Sequence, residues 1–206
     1  YAAPVITNVT LSDSNNGWYN EAYMVTAIDA VDANSGIARY EYRTSENGTW
    51  NVLNINSTLI NVPGVYSLYI RAIDNCGNIS NEYVRTIKYD AIGASVTLVP
   101  NTTDWTNKDV VISINVSVLY NQAYTITHLG SEVGNTITVS ENGTYEVVVV
   151  TESGVEVTKS IVISNIDKVS PVNVALSGVE NEKVYSIDEN GIELSFVGGE
   201  DANSGI

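Results

Sequence analysis

Apolar and polar residues alternate with a period of two over short runs along almost the whole of this 206-residue chain. The runs Val5–Leu11, Tyr23–Asp29, Ala38–Thr44, Thr49–Ile55, Thr58–Val62, Val65–Asp74 and Tyr83–Tyr89 each send every second side chain to one face. That pattern predicts half-buried β-strands. Asn47-Gly48, Gly77-Asn78 and Asn142-Gly143 mark turns, because Asn and Gly tolerate positive φ. No helical stripe of useful length competes. Seven short antiparallel strands in one stretch predict a β-sandwich.

The pattern then repeats. Asp32-Ala33-Asn34-Ser35-Gly36-Ile37 returns as Asp201-Ala202-Asn203-Ser204-Gly205-Ile206, and Trp18-Tyr19-Asn20-Glu21 is echoed by Trp105-Thr106-Asn107-Lys108. Gly64-Val65-Tyr66 likewise matches Gly143-Thr144-Tyr145. Such periodicity marks a modular array. It predicts one repeat over 1–91, a second over 92–168, and the incomplete start of a third over 169–206. The third repeat carries too little sequence to close a core, which predicts that the natural chain continues. Ala91-Ile92-Gly93-Ala94 and Lys168-Val169-Ser170-Pro171 join the repeats. Linkers this short predict a semi-rigid array rather than a flexible string.

Five segments carry a likeness to a known family: Trp105 to Val110, Asp32 to Ile37 followed by Tyr40-Glu41-Tyr42, Glu141 to Tyr145, Ala72 to Ser80, and Asn165 to Lys168. On these residues the chain resembles the bacterial immunoglobulin-like tandem repeats of large cell-surface proteins of the Gram-positive type. The resemblance implies an all-β fold of tandem immunoglobulin-like β-sandwiches, about seven strands each, in an extracellular or cell-surface setting. Such modules serve adhesins, surface-layer stalks and accessory regions of carbohydrate-active enzymes alike, so the fold alone does not choose a function.

Charge narrows the partners. Twenty-four acidic residues against nine basic give −15, which repels phosphate backbones and anionic lipid. Nucleic acid is not an expected partner, and no apolar run is long enough to cross a bilayer. The single Cys76 rules out a disulfide framework, leaving packing or metal to hold each repeat.

Candidate chemistry concentrates in two loops that an immunoglobulin-like topology places at one end of the first repeat. One runs from Asp29 through Asp32 to Gly36, and the other from Asp74 through Asn75 to Asn78. Aligning Tyr23, Val25 and Ala27 with Val110, Ile112 and Ile114 puts Asp29 in the inward register. Leu68, Ile70 and Ala72 do the same for Asp74. Asp29, Asp32, Asp74, Asn75 and Asn78 thus form a candidate metal site whose all-oxygen ligands suit Ca2+. The alternative is that these residues cap turns through side-chain-to-backbone hydrogen bonds. The second repeat has Val116 and Ser153 at the places of Asp29 and Asp74 and lacks the Asp-Ala-Asn-Ser-Gly segment, so both loops lose their acids together.

Nothing else reads as catalytic. His128 is the lone histidine, without a nucleophile motif, and no cofactor-binding motif occurs. Trp18, Trp50, Trp105 and the thirteen tyrosines follow the strand pattern and read as packing. Lys88, Lys159 and Asn115 fall on outward faces, which argues against a Lys–Asn cross-link. Asn-x-Ser/Thr sequons at Asn8, Asn47, Asn56, Asn78, Asn101, Asn115 and Asn142 matter only where the host glycosylates them. The expectation is a non-enzymatic structural or spacer module, stiffened by Ca2+ in its first repeat, whose partners are its neighbouring repeats. The rivals are a glycan- or protein-binding module and an accessory region of a carbohydrate-active enzyme.

Overall fold

The computed structural model describes residues 2–13, 17–177 and 195–205. Residues 178–194 and 206, part of the expected third repeat, lie outside the described residues. Strands dominate. Residues 1–91 hold β1 (Val5–Leu11), β2 (Trp18–Tyr19), β3 (Tyr23–Val31), β4 (Ile37–Arg43), β5 (Asn51–Val52), β6 (Thr58–Ile60), β7 (Gly64–Asp74) and β8 (Tyr83–Tyr89). They form an immunoglobulin-like β-sandwich from a sheet ordered β1-β3-β6 and another ordered β2-β8-β7-β4-β5. Val9, Leu11, Tyr23, Val25, Leu68, Ile70 and Ile87 are buried in one core. Each such side chain contributes about 1.5–3 kcal/mol by leaving water.

Alternation predicts most of these strands well, β1 and β8 to the residue. Two expectations need correction. Thr49–Ile55 yields only the two-residue β5, because Leu53 turns inward while Asn51 and Val52 stay exposed. Asp29 does not point inward. Thr10 pairs with Ala27 but Leu11 pairs with Val25, so a bulge adds one residue to β3. Beyond it Val9 faces Ile28 on the core side and Asn8 faces Asp29 on the outer side. One extra residue inverts every later side chain on a strand.

In the next stretch come β9 (Ser95–Pro100), β10 (Val110–Ser117), a single 3-10 turn (Leu119–Asn121), β11 (Tyr124–His128), β12 (Ser131–Glu132), β13 (Thr136–Val139), β14 (Gly143–Thr151) and β15 (Glu156–Ile163). Their sheets are ordered β13-β10-β9 and β12-β11-β14-β15. β16 (Val172–Ser177) and β17 (Ser195–Glu200) follow and pair antiparallel. By contact density the chain divides into two compact units. One comprises Tyr1–Thr97, Asn115–Val133 and Val147–Lys159, the other Leu98–Ile114, Gly134–Glu146 and Ser160–Ile206.

Candidate functional site

The two loops expected to share a site do meet. Asp74 is buried at the end of β7, in the phase set by Leu68, Ile70 and Ala72. Its Oδ1 accepts the N–H groups of Cys76 (2.9 Å) and Asn78 (2.8 Å), and its Oδ2 accepts the Asn78 carboxamide (2.8 Å). Asp32 Oδ1 accepts the N–H groups of Asn34 (3.1 Å), Ser35 (2.6 Å) and Gly36 (2.8 Å) and the Ser35 hydroxyl. Gly36, at φ +73°, closes that turn in the left-handed region. Asn75 ties the loops together, its carboxamide donating to the Ser35 carbonyl at 2.6 Å and its N–H to the Gly36 carbonyl at 3.1 Å.

These bonds decide the electrostatics. The Ser35 N–H, followed by those of Gly36 and Asn34, holds Asp32 below the usual carboxylate range against burial. The Asn78 side chain and the loop N–H groups do the same for Asp74. Hydrogen bonds to the charged form favour it. Both carboxylates therefore face donors, as turn caps do, whereas Ca2+ takes six to eight oxygen ligands. Asp32 Oδ2 is buried without a hydrogen bond. Asp29 stands apart: it is exposed and accepts from the Asn8 carboxamide at 3.3 Å. Among the described residues no group of three or more His, Cys, Asp or Glu converges.

A second arrangement, which sequence reasoning missed, sits just beyond the ends of β8 and β15. The residue after each repeated Trp reaches one such end. Tyr19 pairs with Tyr89 and its carbonyl accepts the Asp90 N–H at 2.9 Å. Thr106 bridges Ile166 and accepts the Asp167 N–H at 2.9 Å. The Asn142 carboxamide secures Ile166 from the other side, donating to its carbonyl (2.8 Å) and accepting its N–H (2.9 Å).

The two aspartates so placed are buried, and each accepts both a backbone N–H just after it and a distant carboxamide, though on different oxygens. Asp90 Oδ1 accepts the N–H groups of Ile92 (2.9 Å) and Gly93 (3.1 Å), while Oδ2 accepts the Gln122 carboxamide. Gln122 in turn accepts the Ser153 N–H at 3.3 Å. Asp167 Oδ1 accepts the Val169 N–H (2.9 Å) and the Asn203 carboxamide (3.3 Å), and Oδ2 accepts the Ser204 N–H (3.0 Å). The Val169 N–H first, then the Ser204 and Asn203 donors, bring the Asp167 carboxyl down to about 2 against burial. Each carboxylate thus caps the segment just after its own strand and takes a carboxamide from a loop farther along the chain, after β10 for Asp90 and after β17 for Asp167. The available signal was the shared place of Asp90 and Asp167 two residues before Ile92 and Val169.

Trp18 stacks at 5.8 Å on Tyr120, in that same loop after β10. Its counterpart Trp105 is 51% exposed and lines an open cleft of about 350 Å³ with Asp167, Pro171, Asp201 and Ser204. Trp50 lies against Arg71 (4.0 Å) and Arg43 (4.7 Å), whose charges are matched by Glu41 and Glu82. That face is therefore internally neutralised. Cys76 is an exposed thiol at the Asp74 loop, and His128 ends β11.

No family model and no curated protein matches the chain. Among solved structures it is similar to the fibronectin(III)-like modules of Clostridium thermocellum CbhA, at 15% identity and TM-score 0.32, covering 75% of this chain and 92% of that one. It is similar to the D00-D0 domain of intimin at 12% identity and TM-score 0.34, covering 75% and 97%. Drosophila N-cadherin EC1-3 matches at 16% identity and TM-score 0.26, covering 78% and 66%. At these TM-scores the likenesses carry no functional argument.

Proposed function

We propose that the chain is a non-enzymatic run of immunoglobulin-like repeats in an extracellular surface protein, of the Gram-positive tandem type, spacing or presenting another part of it. One observation carries this reading: Asp90 and Asp167 each cap their own linker and accept a carboxamide from the repeat that follows. A buried carboxylate with all its donors in place is costly to uncouple, since each orphaned partner costs about 1–3 kcal/mol. Such investment at the linkers suits a load-bearing array. No helix among the described residues is long and apolar enough to cross a membrane.

Pulling the full chain from its two ends in a single-molecule experiment tests the reading. Discrete cooperative unfolding steps are expected, and Gln122→Ala lowers the force of the first by removing the Asp90 partner. A force trace without resolvable steps sinks the mechanical role. A binding module is the second reading, favoured by the half-exposed Trp105 in its polar cleft. Saturable glycan binding that disappears with Trp105→Ala would establish it instead.

A further inference from the structure

The hexapeptide that begins at Asp201 begins also at Asp32, and the two loops fold alike. In both, the aspartate Oδ1 accepts the N–H groups two and three residues on, at 3.1 and 2.6 Å for Asn34 and Ser35 and at 3.0 Å for both Asn203 and Ser204. In both, the serine hydroxyl donates back to that aspartate, and the glycine adopts a left-handed φ, +73° at Gly36 and +78° at Gly205. They differ in what they touch. The Asp201 loop sits on Asp167, to which it gives the Asn203 carboxamide and the Ser204 N–H. The Asp32 loop has exposed Ala33 and Asn34, and among the described residues the Asn34 carboxamide makes no hydrogen bond.

We infer that the Asp32–Gly36 loop is a docking surface for the aspartate-ended last strand of another repeat of this kind, seated as the Asp201 loop is on Asp167. Asn34 supplies the carboxamide and Ser35 the N–H. Chemistry selects the occupant: the loop offers an amide N–H2 and a backbone N–H in the spacing already seen to hold a buried carboxylate. Asp90 shows that the carboxylate accepts a carboxamide even from a different loop, since Gln122 belongs to the 3-10 turn region rather than to an Asp-Ala-Asn-Ser-Gly segment. The far side of the loop is already fixed by Asn75, so the donors are held in place before a partner arrives, which lowers the cost of docking. The inference concerns how repeats meet, and stands whether the array spaces, adheres or assists an enzyme.

A tandem chain tests it: the full 206 residues preceded by a further copy of residues 4–170, so that Asp167-Lys168-Val169-Ser170 runs into Pro4. Joining them covalently raises the effective concentration of the two surfaces into the range where weak contacts form. The carboxyl carbon of the added Asp167 is titrated by NMR, with and without Asn34→Ala in the repeat that follows. Asn203→Ala in the unextended chain is the reference. Expected are a low-titrating carboxyl in the tandem chain and an upward shift of roughly half a unit to one unit on Asn34→Ala, matching the effect of Asn203→Ala. A carboxyl that ignores Asn34→Ala, whether it titrates low or normally, overturns the inference, because the Val169 N–H alone would then account for it. A reference carboxyl that ignores Asn203→Ala overturns it too, since the Asp167 contact would be no template.

Discussion

Arg85 donates to Asp13 at 2.6 Å, and the Asp13 side chain is only 4% exposed. Beside them Tyr23 is fully buried, its phenol pushed far up by burial and by the Asp13 carboxylate. Arg85→Met should destabilise the β-sandwich of β1–β8 by about 3–5 kcal/mol in a denaturant titration, because it would leave the buried Asp13 side chain without its ion-pair partner. A loss below about 1 kcal/mol would mean that water already serves Asp13. Asp167 makes a prediction in pH. Its folded carboxyl sits at about 2, below its ordinary value of 3.8, so it stabilises the protein above about pH 4 and loses that contribution as pH falls through 2. Protection of the Ser204 amide, taken relative to its intrinsic exchange rate at each pH, should fall over that window and stay constant in Asp167→Asn. At this scale the sequence revealed Asp74, whose phase follows from three apolar neighbours. It hid Asp29, because a bulge leaves no mark in an alternating run. It hid Gln122 and Asn203 as partners too, since only folding brings them to aspartates 32 and 36 residues away.

Elements were legible where alternation lasts and obscure where pairing is short. Two-residue β2 has no period to detect, yet it pairs parallel with β8 and gives the Trp18-Tyr19 motif its purpose. The linkers show how elements constrain single positions. Gly93 lies at φ +79°, and a Cβ there would stand 2.6 Å from Val155 Cγ1 at the foot of β15. Gly93→Ala is therefore strained in backbone and in space. A loss of about 1–3 kcal/mol is expected from calorimetry, together with loss of protection at the Gly93 amide that Asp90 accepts. An unchanged melting temperature would show that the linker can take another path.

For the whole molecule, the β-sandwich fold was the most readable property and the chemistry of the paired loops the least. Asp and Asn in paired loops suit both a metal site and turn caps, and only the direction of each N–H separates the two. With Asp32 Oδ1 and both Asp74 oxygens taken by donors, millimolar Ca2+ after chelation should leave thermal unfolding unchanged. A rise of roughly 5–10 °C in one transition would instead mark Asp32, Asp74, Asn75 and Asn78 as ligands. The Asn142 clamp on Ile166 carries a consequence in time rather than force. Asn142 precedes Gly143, and Asn-Gly pairs lose ammonia through a succinimide that water opens to a carboxylate. The product would set a negative oxygen against the Ile166 carbonyl in place of the donated N–H. The exposed Asn47 side chain secures no strand end, whereas ageing at Asn142 would free the strand end that positions Asp167. The chain thus contains its own clock: old protein should come apart first beside Ile166 and Asp167.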